Sequence, residues 1–231
     1  MNNTMTWAEH LHGEDWREED NAPGLIPQLS QRVGLLRKLS HYSSKKKMKM
    51  LASVLYYSKL VYCLPLFTTT WGLDSYKVGK TRFSSFTKED NRKLQVLQNQ
   101  VCRLLLPSRI LADSQYIKQN LSTEELLGRT DVLSVHQLGA QNTLIMAKKI
   151  QLSGKPTYLA DRFSARHSSN TRTGTTLQLP EVTLNLSREG FIYRSSKLFN
   201  LLPENIKNEN RISQFKKKTR VWVKQNVPVK P

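Results

Sequence analysis

The chain has 231 residues, with 36 Lys and Arg against 18 Asp and Glu, a formal net charge of +18 and 38% apolar residues. That length suits one large domain or two small ones with a substantial core, and four Trp, eight Tyr and seven Phe argue against simple disorder. Cys63 and Cys102 stand alone, with no Cys-x-x-Cys or Cys/His cluster, which excludes a disulfide framework and a zinc site. With a polar N-terminus and no signal peptide, this predicts a reducing, intracellular setting, in nucleus or cytoplasm.

The charge is uneven. Glu9, Glu14, Asp15, Glu18, Glu19 and Asp20 stand in the first twenty residues beside a single base, Arg17, so residues 21–231 hold 35 bases and 12 acids. Such an excess attracts polyanions by steering and counterion release; it bears on partners and not on fold. A solubility device or a ribosome-like basic surface is the alternative reading of the same excess.

In chain order, residues 1–24 read as a loosely ordered acidic lead-in ending in Ala-Pro-Gly. Ile26, Leu29, Val33 and Leu36 then recur at helical spacing and predict an amphipathic helix of about 14 residues. Ser44 is placed to cap a second helix that opens Lys45-Lys46-Lys47-Met48-Lys49 and turns apolar on all sides from Met50. An all-apolar helix belongs in the middle of a bundle. The run from Met50 to Phe67 falls short of the roughly 20 residues a membrane span needs, carries Lys59 at its middle and reaches a stop at Pro65, so it reads as a core helix, not a span.

Between Trp71 and Lys88, Trp71, Tyr76, Phe83 and Phe86 interleave with Lys77, Lys80 and Arg82. Aromatics beside cations stack on bases while the cations hold phosphates; pinning of a long loop to the bundle remains the equal alternative. Leu94, Leu97, Val101 and Leu104 predict a third helix, carrying Arg92 and Arg103 and stopped by Pro107. Ser122-Thr123-Glu124-Glu125 forms a capping box for a short helix ended by Gly128. Asp131 is placed to cap a longer one with Leu138, Ile145 and Leu152 at sevens.

Gly154 and Pro156 mark a change of texture into a Ser/Thr/Arg/Gly-rich stretch, with a short alternating run, Val182 to Leu186, that reads as a strand. Helices near Phe191–Leu201 and Arg211–Val223 follow, the last carrying Lys216, Lys217, Lys218 and Arg220. The expected organisation is mainly α: a helical bundle over residues 25–153 and a smaller α+β basic part over 154–231. The lysine clusters at 45–49 and 216–220 also fit nuclear-import signals.

No catalytic constellation is found, and neither cofactor nor metal is expected. Two-metal phosphoryl transfer needs carboxylates placed to share divalent ions. The adjacent acids here lie in the lead-in, at a helix start (Glu89-Asp90) and in a capping box (Glu124-Glu125). His10, His12, His41, His136 and His167 are scattered, and no phosphate loop, nucleophile elbow or His-Glu-x-x-His occurs.

Several strings, in order, resemble the C-terminal part of a non-LTR (jockey/LINE-like) retrotransposon reverse transcriptase. They are Thr6-Trp7-x-x-His10-Leu11, Leu29-x-x-Arg32-x-x-Leu35-Leu36-x-x-Leu39, Ser58-Lys59-Leu60-x-Tyr62 and Trp71-Gly72. Leu94-Gln95-x-Leu97-Gln98-Asn99-x-x-x-Arg103, Thr171-Arg172 and Phe199-Asn200-Leu201-Leu202-Pro203 continue the series. The family usually has Trp where Phe199 stands. Its aromatic-x-Asp-Asp polymerase hairpin, which holds Mg, has no counterpart, nor do its fingers, its endonuclease or its zinc knuckle.

The resemblance therefore implies a thumb and the region after it, a thumb-like bundle that is no enzyme on its own and that grips RNA, an RNA–DNA hybrid or DNA by the backbone. Carried over by position, Lys45, Lys46, Lys47, Lys49, Lys59, Arg92 and Arg103 are candidates for that grip. Two other readings stay open: a host-retained helical protein-interaction module, and a gene-model fragment of a complete RNA-directed DNA polymerase.

Overall fold

The structure, a computed structural model, describes residues 24–67, 88–106, 121–163, 176–181 and 190–229. These residues are mainly helical, as the periodicity predicts, and no sheet occurs among them. The expected strand at 182–186, the aromatic–basic loop with Lys77, Lys80 and Arg82, and the lead-in lie outside the described residues. The chain divides into two compact units, Met1–Leu60 with Ser85–Thr130, and Val61–Ser84 with Asp131–Pro231.

In the first unit, α1 (Leu25–Ser40) buries Leu29, Val33 and Leu36, the stripe that the sequence spacing predicts. It packs chiefly on α4 (Lys88–Leu105), whose Leu94, Leu97, Val101 and Leu105 supply the opposing apolar face. α2 (Lys45–Ala52) packs on both and continues through a π-helical turn, Ser53–Tyr57, into α3 (Ser58–Phe67), whose residues from Val61 onward belong to the second unit. The wide turn is closed by the Ser58 N–H donating to the Ser53 carbonyl, and the Leu55 carbonyl accepts from Arg32 Nη1 at 2.7 Å. Met48, Ala52, Tyr56 and Leu60 are buried; Tyr56 meets Tyr57 edge-on at 5.2 Å between centroids.

Three expectations for this stretch are corrected. The helix does not stop at Pro65, which lies inside α3. Ser44 precedes α2, but its hydroxyl makes no capping hydrogen bond. Nor is the helix buried all round: Met50 is 63% exposed and Val54 62%. Only one side of α2 meets α1 and α4, so the residues a half-turn away face solvent, apolar or not. Among the described residues no helix is long and apolar enough to cross a membrane.

α5 (Thr123–Thr130) carries the predicted capping box, with the Glu125 N–H donating to Ser122 Oγ at 3.3 Å and the Ser122 N–H donating to Glu125 Oε2 at 3.0 Å. It runs through Gly128 to Thr130 and stops where Asp131 takes a left-handed φ of 51°. Asp131 therefore ends one helix and does not cap the next.

The second unit is built on α6 (Val135–Ser153), capped by a reciprocal Ser134–Gln137 box and ended by Gly154 at φ 64°, a position that favours glycine. After a single turn, α7 (Thr157–Ala160), come α8 (Phe191–Asn200), the short α9 (Glu204–Lys207) and α10 (Ile212–Asn226). Leu144, Ile145, Ala147 and Ile150 of α6 are buried with Leu198 and Phe199 of α8 and with Phe215 and Val223 of α10. The apolar face of α6 thus finds its partners downstream of Gly154. Asn200 joins this core to Leu177, accepting from its N–H at 2.8 Å and donating to its carbonyl at 2.9 Å.

Candidate nucleic-acid interface

Residue by residue, the cations singled out in the sequence separate into those held by other parts of the fold and those left in solvent. In the first unit, Lys45 donates from Nζ to the Leu104 carbonyl at 3.1 Å. That places its charge on the carboxyl end of α4, where the helix dipole favours a cation. Lys45 thus fastens two helices. Arg92 makes a bidentate pair with Glu89 at 2.8 and 2.9 Å, one turn apart on α4, and lowers that carboxyl's pKa. Lys59 and Arg103 are half-buried.

Lys46, Lys47 and Lys49 differ. All three are exposed on α2, and among the described residues no carboxylate pairs with them. The reason lies in the sequence around them: between Asp20 and Asp74 there is no acidic residue at all. The tight turn at 41–44 joins α1 to α2, so exposed Arg37 and Lys38 in the last turn of α1 and the exposed lysines at the start of α2 stand on either side of it in the chain; Arg37 Nη2 also donates to Gln100 Oε1 of α4 at 3.5 Å. Tyr42 is 91% exposed at the tip of that turn.

The result is a corner with five exposed cations and an aromatic ring, and no described acid of its own stretch to neutralise it. Cations on such a corner hold phosphates through charge, and an exposed ring stacks on a base. Arg37, Lys38 and Tyr42 are not among the candidates that the sequence offers; their only mark there is the end of a basic helix immediately before a tight turn.

The second unit uses its cations differently. Lys218 of α10 donates to Glu209 Oε2 at 2.7 Å and to the Asn205 carbonyl at 3.3 Å. Arg220 bonds the Asp131 carbonyl and stands 3.4 Å from its carboxylate, and Lys224 donates to Asp131 Oδ1 at 3.0 Å. The Lys224 and Arg220 charges hold the Asp131 carboxyl below the usual carboxylate range, and Lys218 with the Arg211 N–H does the same for Glu209. These pairs hold α10 to the segments on either side of it. Lys216 and Lys217 remain exposed.

Lys148 and Arg194 are buried cations that residue type alone does not single out. Lys148 Nζ donates to the Lys207 carbonyl at 2.7 Å and sits over the rings of Phe199 and Phe215 at 6.0 and 5.8 Å; burial pushes its pKa down. Arg194 donates to the Pro65 carbonyl at 3.3 Å. Both stand in helical phase with apolar neighbours, Leu144 and Ile145 for the first and Phe191 and Leu198 for the second.

The strings that carry the family resemblance also acquire physical roles. On α4, Gln95 Nε2 donates to Gln98 Oε1 and Asn99 Oδ1, each at 3.0 Å, and Asn99 Nδ2 donates to Thr123 Oγ1 at 2.9 Å, linking α4 to α5. Phe199 and Leu202 are core and Asn200 is the clamp on Leu177. Thr6 to Leu11, Trp71-Gly72 and Thr171-Arg172 lie outside the described residues.

Burial pushes the Cys102 thiol up, as suits a core cysteine. Among the described residues no group of three His, Cys, Asp or Glu side chains gathers to hold a metal ion. No family model, no curated protein and no solved structure matches this chain.

Proposed function

We propose that this chain is a nucleic-acid-binding module of the reverse-transcriptase thumb type. It grips RNA, or an RNA–DNA template–primer, through its phosphates and has no polymerase chemistry of its own. The observation that carries this reading is the α1–α2 corner. Arg37, Lys38, Lys46, Lys47 and Lys49 are exposed around Tyr42 within a stretch of sequence free of acids. Lys216 and Lys217 on α10 are secondary candidates. The ordered strings of the sequence favour the thumb over a generic basic surface, and the chain contains no Asp-Asp pair for a polymerase hairpin.

The mechanism is electrostatic. Each phosphate neutralised releases condensed counterions, so affinity falls with salt at about 0.7 log units per log unit of salt for each contact on a single strand. Engagement of all five corner cations therefore gives a slope of about −3.5. The test is fluorescence anisotropy of the full chain against labelled RNA, DNA and hybrid duplex over a salt series. A steep linear fall for at least one of them is expected. Affinity that stays flat from low to physiological salt overturns the proposal.

A further inference from the structure

The exposed apolar residues of α2 and of the π-helical turn that continues it stand on the same side as the exposed Lys46 and Lys47. Lys46 and Lys47 precede Met50 by four and three residues and Val54 follows it by four, so the four share one helical face, and all are exposed. Nothing among the described residues covers that face. Its chemistry is specific: cations at one end, apolar side chains at the other and no acid.

One segment of this chain has the opposite character. Residues 1–20 hold six acids against one base, and among those acids stand Trp7, Leu11 and Trp16. This segment immediately precedes the acid-free stretch that contains α1 and α2. Acids and large apolar side chains together are what a basic face with an apolar end takes.

Its reach is sufficient. The Arg32–Leu55 hydrogen bond sets Val54 abreast of the middle of α1, and Arg32 lies about 10 Å along the axis from Leu25. Twenty extended residues span up to about 66 Å. A segment tethered this closely acts at high effective concentration, so weak individual contacts suffice.

We infer that the acidic segment 1–20 docks on the Lys46–Lys47–Met50–Val54 face of its own chain and competes there with nucleic acid. Carboxylates would take the positions of phosphates on the lysines, and Trp and Leu side chains would cover Met50 and Val54. The competition rests on the proposed function; the docking does not. A module built this way would release its own acids only to a polyanion that outcompetes them.

The test places a photo-crosslinker, p-benzoylphenylalanine, at Val54 in the full chain and maps the adducts by mass spectrometry. The expected product is an intrachain adduct to residues 1–20, with a yield independent of protein concentration and reduced by excess RNA. No adduct to that segment, or adducts only between chains and rising with concentration, overturns the docking. In the latter case a second copy is the occupant.

An intrachain adduct that persists at saturating RNA overturns the competition alone. If the chain binds no nucleic acid at any salt, the proposed function fails while the adduct still decides the docking. As a second measurement, Met50→Gln with Val54→Gln leaves net charge unchanged. If the segment covers the face nine-tenths of the time, this variant binds RNA about tenfold more tightly. Unchanged affinity overturns the competition.

Discussion

The two units each carry a lysine-rich helix, and the two helices do different work. In α2 of the first unit, Lys46, Lys47 and Lys49 face solvent with no described carboxylate beside them. In α10 of the second unit, Lys218, Arg220 and Lys224 are paired with Glu209 and Asp131. The residue type and the local density are alike. What differs is the supply of acids, absent between residues 20 and 74 and present at 131, 204 and 209 around the C-terminal helices. A basic cluster stays open to an outside polyanion only where the fold brings it no anion of its own.

The comparison is open to attack at several points, the largest effect being on the core that holds α10 in place. Phe215→Ala empties a fully buried site and removes one of the two rings beside Lys148, and is expected to cost about 3–5 kcal/mol, read by chemical denaturation. A loss under about 1 kcal/mol would mean that α10 is not packed as described.

Lys46→Gln with Lys47→Gln and Lys49→Gln should weaken RNA binding about a hundredfold at low salt and flatten the salt slope by about 2, with the thermal midpoint unchanged. The matched change on α10, Lys218→Gln with Arg220→Gln and Lys224→Gln, should do the reverse, lowering stability while shifting affinity only about twofold to threefold. Equal losses of affinity from the two triplets would erase the distinction between the helices.

Asn200→Ala should cost about 1–2 kcal/mol, because the N–H and carbonyl of buried Leu177 both lose their partner. The smallest effect is at Asp131. Its folded pKa lies below the unfolded value, so its contribution is complete above the ordinary carboxylate range and is lost as pH falls through the folded value. The carboxylate is largely exposed, so Asp131→Asn should cost about 0.5 kcal/mol at neutral pH. The two proteins should become equally stable in acid, where wild-type Asp131 is protonated too. A difference that persists there would assign the effect to the left-handed backbone and not to the charge.

Much of the helical layout is legible without coordinates. The Leu29–Val33–Leu36 stripe, the Ser122–Glu125 box and the last helices near 191 and 211 all arise from interactions within a few residues, and local spacing reports them directly. The helix end at Asp131 and the cap at Ser134 were misread because Asp caps a helix and also tolerates a left-handed backbone, so its type alone does not choose. The π-helical turn leaves no mark that periodicity over five residues can register.

By itself the sequence determined that the protein is mainly helical and strongly basic after residue 20, since short-range spacing settles the first and composition the second. Only the tertiary structure decided which cations are spent. Lys45 on the Leu104 carbonyl, Lys148 on the Lys207 carbonyl and Lys224 on Asp131 join residues 59, 59 and 93 positions apart. Packing, which brings distant carbonyls and carboxylates to a side chain, has no local signature. It is also what separates Lys45 from Lys46, adjacent in the chain and identical in type, as a fastening between helices and a side chain left in solvent.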